Sequence, residues 1–176
     1  MAPAAVNFTR VYGMVAQARE KLFGWIRPLT QAQYTQKFPI GLGTVRATLI
    51  EIARVEWMYG RRLRGETIPP LPEWPISEER QPTFADLEKV WKDQAKQTRQ
   101  TLDAVADWTS TSERRVARQG QPTLVRTSTL EDLALQMLMH ETHHRAQAMA
   151  MLRQMGVEAQ NLDYIGFSAT TREEPA

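Results

Sequence analysis

The stretch STLEDLALQMLMHETHHRAQAMAMLRQMG, residues 128–156, decides the fold, because it contains no proline and is long enough for one extended helix. Ser128 followed by Glu131 predicts a capping box at the start of this helix, and the glycine at position 156 predicts its end. All three histidines of the chain lie near the middle of this predicted helix. Its apolar residues recur at helical spacing. They are Leu130, Leu133, Met137, Met151 and Met155.

Three further proline-free intervals have the same periodicity and predict helices over residues 7–27, 44–64 and 83–107. The third of these opens with Thr83 and Asp86, a variant of the capping box. Four amphipathic helices with little strand signal predict an all-α four-helix bundle.

The connections add two features to this bundle. Residues 66–82 contain five prolines, a composition that favours a long crossover between helices 2 and 3 over a tight turn. Residues 114–127 predict a small hairpin around Gly120, before helix 4. We therefore expect residues 1–176 to form one domain.

Composition excludes several classes of function. The chain has 176 residues, of which 42% are hydrophobic, and no cysteine, which rules out disulfides, thiolate metal sites and cysteine nucleophiles and suits a cytoplasmic location. Its 22 basic and 20 acidic residues give a net charge of +2, so we expect no nucleic-acid partner. No apolar run approaches the roughly 20 residues of a membrane span. The opening MAPAAVNFTR has no signal-peptide pattern.

The histidine cluster is the clearest candidate site. His140 and His144 are four residues apart, so they point to the same side of the helix, within its apolar stripe, while His143 lies at the flank. Two imidazoles in a bundle core favour a metal site, because facing helices of bundles commonly supply ligands and imidazole is the commonest one. Alternatively, each ring bonds a neighbouring side chain or faces a wet groove.

The same residues match the zinc-peptidase motif H-E-x-x-H, with Glu141 as its general base. The chain has no histidine after position 144 to complete such a site, and it predicts no sheet along which a peptide could lie. A peptidase is therefore not favoured.

A third ligand is expected from helix 2, which offers Glu51 and Glu56. The helical pattern favours Glu56, which lies inside the apolar stripe, over Glu51 on its flank. Each carboxylate also has a structural interpretation. Glu51 could be a solvated partner of Arg54, and Glu56 could be a buried acid bonded to Tyr12 or Arg145.

Two stretches resemble the DinB family of bacterial four-helix-bundle proteins: TLIEIARVEWMYGRRLRG (48–65) and HETHHRAQAMAMLRQMG (140–156). In that family helix 2 typically reads leucine, any residue, histidine, with a glutamate five positions later and a closing glycine. Helix 4 reads histidine, three residues, then histidine, arginine, glycine and glutamine. The tail LRQMGVEAQNLDYIGF also resembles the usual family ending, so the likeness covers essentially the whole chain.

This resemblance implies a divalent-metal site built from one residue of helix 2 and two of helix 4. It carries over to Glu51, His140 and His144, with Glu51 in the place of the usual histidine. Either the site has become two histidines and a carboxylate, which could hold Zn, Ni, Fe(II) or Mn, or it has degraded. Arg145 and Gln147 are candidates for contacting the ligands or the substrate, and no catalytic residue is identified.

The resemblance further implies a metal-dependent enzyme acting on a small molecule, either a transferase that uses a low-molecular-weight thiol such as bacillithiol or mycothiol, or a hydrolase. The alternative is a non-catalytic, stress-associated bundle with a degraded metal site and a small-ligand groove. The family also leads us to expect a homodimer.

Overall fold

The computed structural model describes residues 6–170 and 172, and it is mostly helical with one small sheet. Four of the helices have 19 residues or more. In chain order the elements are α1 (Phe8–Ile26), α2 (Gln31–Tyr34), α3 (Val45–Leu63), a 3-10 turn (Leu71–Glu73), α4 (Phe84–Ala104), β1 (Thr111–Arg118), β2 (Gln121–Thr129), α5 (Leu130–Gln154) and α6 (Ile165–Ser168).

The long helices lie close to where periodicity placed them. The bounds of α1 and α3 fall one residue inside the predicted ranges, whereas α4 ends at Ala104 instead of residue 107. The described residues hold six helices, two more than predicted. The extra helices, α2 and α6, have four residues each, which is too short for an apolar stripe to repeat.

Capping residues fix the helix starts. The predicted box of Thr83 and Asp86 is confirmed at the start of α4. The box predicted at Ser128 is wrong by one residue, since Thr129 accepts from the backbone N–H of Asp132 at 3.1 Å and Asp132 accepts from that of Thr129 at 3.2 Å. The helix starts later because Ser128 still pairs with Ser112 across the hairpin.

The predicted hairpin is confirmed and is longer than expected. Strands β1 and β2 pair antiparallel from Thr111 opposite Thr129 to Arg118 opposite Gln121, with an irregular step after Val116. Gly120 closes the turn with a φ of 68°, a conformation in which glycine carries no steric penalty.

The four long helices form a closed ring of neighbours, with α1 and α3 each packed on both α4 and α5. Helices α3 and α4 run in the same direction, because the Gln94 amide donates to the Ala53 carbonyl at 2.8 Å and the Arg64 guanidinium donates to the Thr101 hydroxyl at 2.9 Å. No helix among the described residues is long and apolar enough to cross a membrane.

The apolar core consists of two clusters along the bundle. The first includes Leu22, Leu49 and Leu152, and the second includes Phe8 and Met137. Between them, along their helices, lie four buried charged residues. Three are joined by hydrogen bonds, and we call these three the charged layer: Arg19 on α1, Glu56 on α3 and Glu141 on α5. The fourth is Arg145 on α5.

Candidate functional site

The two histidines predicted to share a helix face do so. The ring centroids of His140 and His144 are 4.4 Å apart. Glu51 of α3 faces them, with its Oε1 3.9 Å from Nε2 of His140. The His140 and Glu51 side chains are 17% and 24% exposed, so a small molecule can reach this face of the bundle. The structure thus places Glu51 beside His140 and His140 beside His144, the three residues that the resemblance selected.

Glu51 also has the partner that its structural interpretation required. Its second carboxylate oxygen, Oε2, accepts a hydrogen bond from the Arg54 guanidinium, three residues further along α3. That guanidinium lies 5.7 Å from the ring centre of Trp74, in the segment between α3 and α4. One oxygen of Glu51 is therefore held by a cation, and the other points toward the histidines.

Gln147 contacts two of the histidine rings. Its Oε1 lies 2.9 Å from Nδ1 of His144, and its Nε2 lies 3.0 Å from Nε2 of His143. With the amide oxygen facing Nδ1, the Nδ1–H of His144 donates to it, which leaves Nε2 as the nitrogen that a neutral ring would offer to a metal. An imidazole held in this way is oriented as metal-binding histidines commonly are.

His140 is a neutral imidazole. Burial lowers its pKa to about 4, with help from the neighbouring His144, and the nearby Glu51 carboxylate opposes the shift only in part. Its Nδ1 is buried and has no hydrogen-bond partner among the described residues. The ring can therefore act as a ligand near neutral pH without first losing a proton.

Glu56, the residue favoured by the helical pattern, is committed to another role. Both of its carboxylate oxygens are fully engaged by hydrogen-bond donors from α1 and α4. The donors are the Tyr12 hydroxyl at 2.8 Å, the Thr98 hydroxyl at 2.6 Å, the Arg19 guanidinium at 2.7 Å and the Trp91 indole N–H at 2.9 Å. The structural interpretation was correct in naming Tyr12, but the arginine is Arg19 instead of Arg145.

Glu141, the glutamate of the H-E-x-x-H match, is also occupied. Arg19 donates two hydrogen bonds to it, from Nε at 3.0 Å and from Nη2 at 2.5 Å. Burial alone would lower the pKa of Arg19, but Glu141 and Glu56 together raise it well above its usual value. Sequence reasoning missed Arg19, although it lies at the i+4 position after Val15 within the stripe of α1.

The comparison with family models decides where this chain belongs. The model of the DinB family matches residues 5–175. The chain belongs to the DinB family. A crystal structure of a DinB family member protein from Shewanella denitrificans has a similar fold, with a TM-score of 0.56 and 15% identity over 96% of this chain and 91% of the other. A search of curated proteins finds no match.

The donor atoms of Glu51, His140 and His144 in this DinB protein are of types that suit a divalent metal, but those of Glu51 and His140 are too far apart to share one ion. Two neutral imidazoles and a carboxylate are ligands that Zn, Ni, Fe(II) and Mn accept. Donors sharing one tetrahedral metal lie about 3.4 Å apart, so the 3.9 Å between His140 and Glu51 would have to shorten by about half an ångström. Among the described residues no three His, Cys, Asp or Glu side chains form a ready-made metal cluster.

The two further candidates differ in position. Gln147 touches both His143 and His144. Arg145 is instead buried, with Nη1 3.7 Å from Glu141, and it lines a cavity together with residues of α1. Only Gln147 contacts the histidines.

Proposed function

We propose that this DinB protein binds one divalent metal ion through Glu51, His140 and His144 and acts as a metal-dependent enzyme on a small molecule. The observation that supports this most directly is the approach of the Glu51 carboxylate from α3 to the histidine pair of α5. The neutral state of His140 and the oriented ring of His144 favour the same assignment.

Each residue would have a distinct task. His140 and His144 would supply neutral nitrogens, Glu51 would supply an oxygen and one negative charge, and Gln147 would hold the ring of His144 in place. A metal bound there would acidify a coordinated water or thiol, or polarise a carbonyl group. Arg54 would keep the second oxygen of Glu51 from also binding the ion.

The reaction class we propose is transfer to a low-molecular-weight thiol, or hydrolysis. The chain has no cysteine, so a thiol nucleophile would have to come from a cosubstrate. Three protein ligands leave coordination positions open for such a thiol or for water.

A second candidate function has its own supporting observation. The ion pair between Glu51 and Arg54, together with the lack of a ready-made metal cluster among the described residues, fits a degraded site. The protein would then be a non-catalytic, stress-associated bundle with a groove for a small ligand.

Metal content separates the two candidates. Untagged protein purified without chelators is analysed for metal beside Glu51→Ala, His144→Ala and the matched control His143→Ala. We expect near-stoichiometric metal in the parent and in the His143 variant, and loss in the other two. No metal in the parent after reconstitution with Zn, Ni, Mn and Fe(II) would leave the non-catalytic function. Metal that survives Glu51→Ala would remove Glu51 as the third ligand.

We also propose the finer architecture that the sequence predicted: a single-domain four-helix bundle with a Pro-rich crossover between its second and third long helices. The shared direction of α3 and α4 supports the crossover, because the intervening chain must return along the bundle. A homodimeric, cytoplasmic, bacterial protein remains our expectation, and sedimentation tests the dimer.

A further inference from the structure

The opposite side of α5 carries a groove that the metal proposal does not use. It lies between α1 and α5 and has a volume of about 460 Å³, within the roughly 300–1,000 Å³ of small-molecule sites. Its walls are apolar. They include Val11, Met14 and Val15 of α1 and Leu135, Leu138 and Met139 of α5.

The C-terminal segment closes one side of this groove. Leu162 and Phe167 line it, and α6 packs on α1. The Lys21 ammonium lies 5.0 Å from the ring centre of Phe167, which holds the segment against α1. At the open side Met139 is 61% exposed, so apolar surface there lies in water until something covers it.

Arg145 is the cationic residue of this groove, and its Nη1 is buried without a hydrogen-bond acceptor. The residue is only 6% exposed, yet its side chain donates no hydrogen bond to any described residue. Its one ion pair, Nη1 to Oε1 of Glu141, spans 3.7 Å. Glu141 cannot come closer to it without cost, because both of its oxygens already accept from Arg19.

A buried Nη1 with no acceptor is costly, since its N–H groups have lost water and gained no partner. A carboxylate in the groove is the group that would best pair with the rest of this guanidinium, because the two match as a planar, bidentate pair. One protein carboxylate, that of the exposed Asp163, also lines the groove, and its negative charge would weaken the attraction of an anion.

We propose that this groove binds a small apolar carboxylate, with its alkyl or aryl part along the walls of α1 and α5 and its carboxylate on Arg145. This groove contains none of the three proposed metal ligands, since Glu51 approaches α5 from α3 and the groove faces α1; the two sites meet only at His143, which lines the groove and contacts Gln147.

Calorimetry with two probes of equal chain length, octanoate and octan-1-ol, tests the proposal on the intact protein. We expect octanoate to bind about tenfold more tightly than the alcohol, and Arg145→Met to remove that preference. Asp163→Asn alters only an exposed residue and is expected to strengthen octanoate binding about twofold to threefold while leaving the alcohol unchanged. Met139→Glu should weaken octanoate binding.

Circular dichroism establishes that each variant is folded, and the exposed Asp163 and Met139 variants keep the test decisive if Arg145→Met unfolds. Equal binding of the two probes would overturn the proposal by showing a groove without an anion site. Binding of neither probe would overturn it as well, as would sedimentation showing that a second copy of the chain covers the groove.

Discussion

Replacing Glu56 with glutamine tests the charged layer most directly. The substitution keeps the size of the side chain but removes its charge and exchanges one oxygen for an NH₂ group. The amide nitrogen would turn toward Tyr12 and Thr98, whose hydroxyls can rotate to accept from it. The remaining oxygen would then keep the donors Arg19 and Trp91.

The cost therefore arises mainly from charge. In the parent, two buried carboxylates, Glu56 and Glu141, balance the two buried guanidinium groups of Arg19 and Arg145. Glu56→Gln leaves one carboxylate for two cations. Breaking a buried ion pair from one side typically costs about 3–5 kcal/mol. Because the Tyr12 and Thr98 hydroxyls keep a hydrogen-bond partner, we expect a loss at the lower end of this range, about 3 kcal/mol of unfolding free energy.

Urea denaturation followed by circular dichroism measures this loss. With a slope of about 2 kcal/mol per molar urea, the midpoint should fall by about 1.5 M. Glu88→Gln is the matched control, because Glu88 pairs with Arg27 at the surface and should contribute about 1 kcal/mol or less. A loss at Glu56 no larger than that of the control would refute the reasoning that charge balance holds this layer together.

Three further changes have expected outcomes. The pKa of His140 is about 4 in the folded protein and ordinarily 6.5, so between these pH values the unfolded metal-free chain binds a proton that the folded protein does not. The free energy of unfolding should therefore fall by about 1–3 kcal/mol as the pH drops from 7 to 4, and by less in His140→Gln. Urea titration at each pH measures this loss. Gly41→Ala should lower thermal stability by about 1–2 kcal/mol, since φ is +48° and the added Cβ would lie 2.2 Å from Oε1 of Gln147. Thr129→Ala should cost about 1 kcal/mol in the same assay through loss of the cap on α5.

Each of these three predictions has a result that would contradict it. A pH profile unchanged by His140→Gln would mean that this ring does not carry the proton linkage. An unaffected Gly41→Ala protein would mean that the loop yields freely around Gln147. If Ser128→Ala cost more than Thr129→Ala, the helix would begin at the residue that the sequence first suggested.

Local rules predicted the long helices and the histidine pair, because both depend on spacing within one segment. His140 and His144 meet through the helix repeat alone. The partners of Glu56 could not be predicted in the same way. The stripe placed it in the core, but its four donors come from α1 and α4, so its role depends on packing between helices.

Helix α5 shows a second limit of pattern reading. It packs on both α1 and α3, so its buried residues cover two sides. A search for one apolar stripe finds the side with the histidines and treats the other as surface. Glu141 and Arg145 lie on that other side and are buried. The groove beside Arg145 could not be anticipated for the same reason.

The charged layer also has a consequence for biosynthesis. Arg19 precedes Glu141 by 122 residues, so the ribosome releases it roughly 6–25 s earlier at ordinary elongation rates. Glu56 follows Arg19 by 37 residues, and from then until Glu141 emerges it is the only one of the two carboxylates available to Arg19. We expect the nascent chain to avoid burying Arg19 until α5 emerges, which leaves α1 exposed to chaperones and proteases until synthesis is nearly complete.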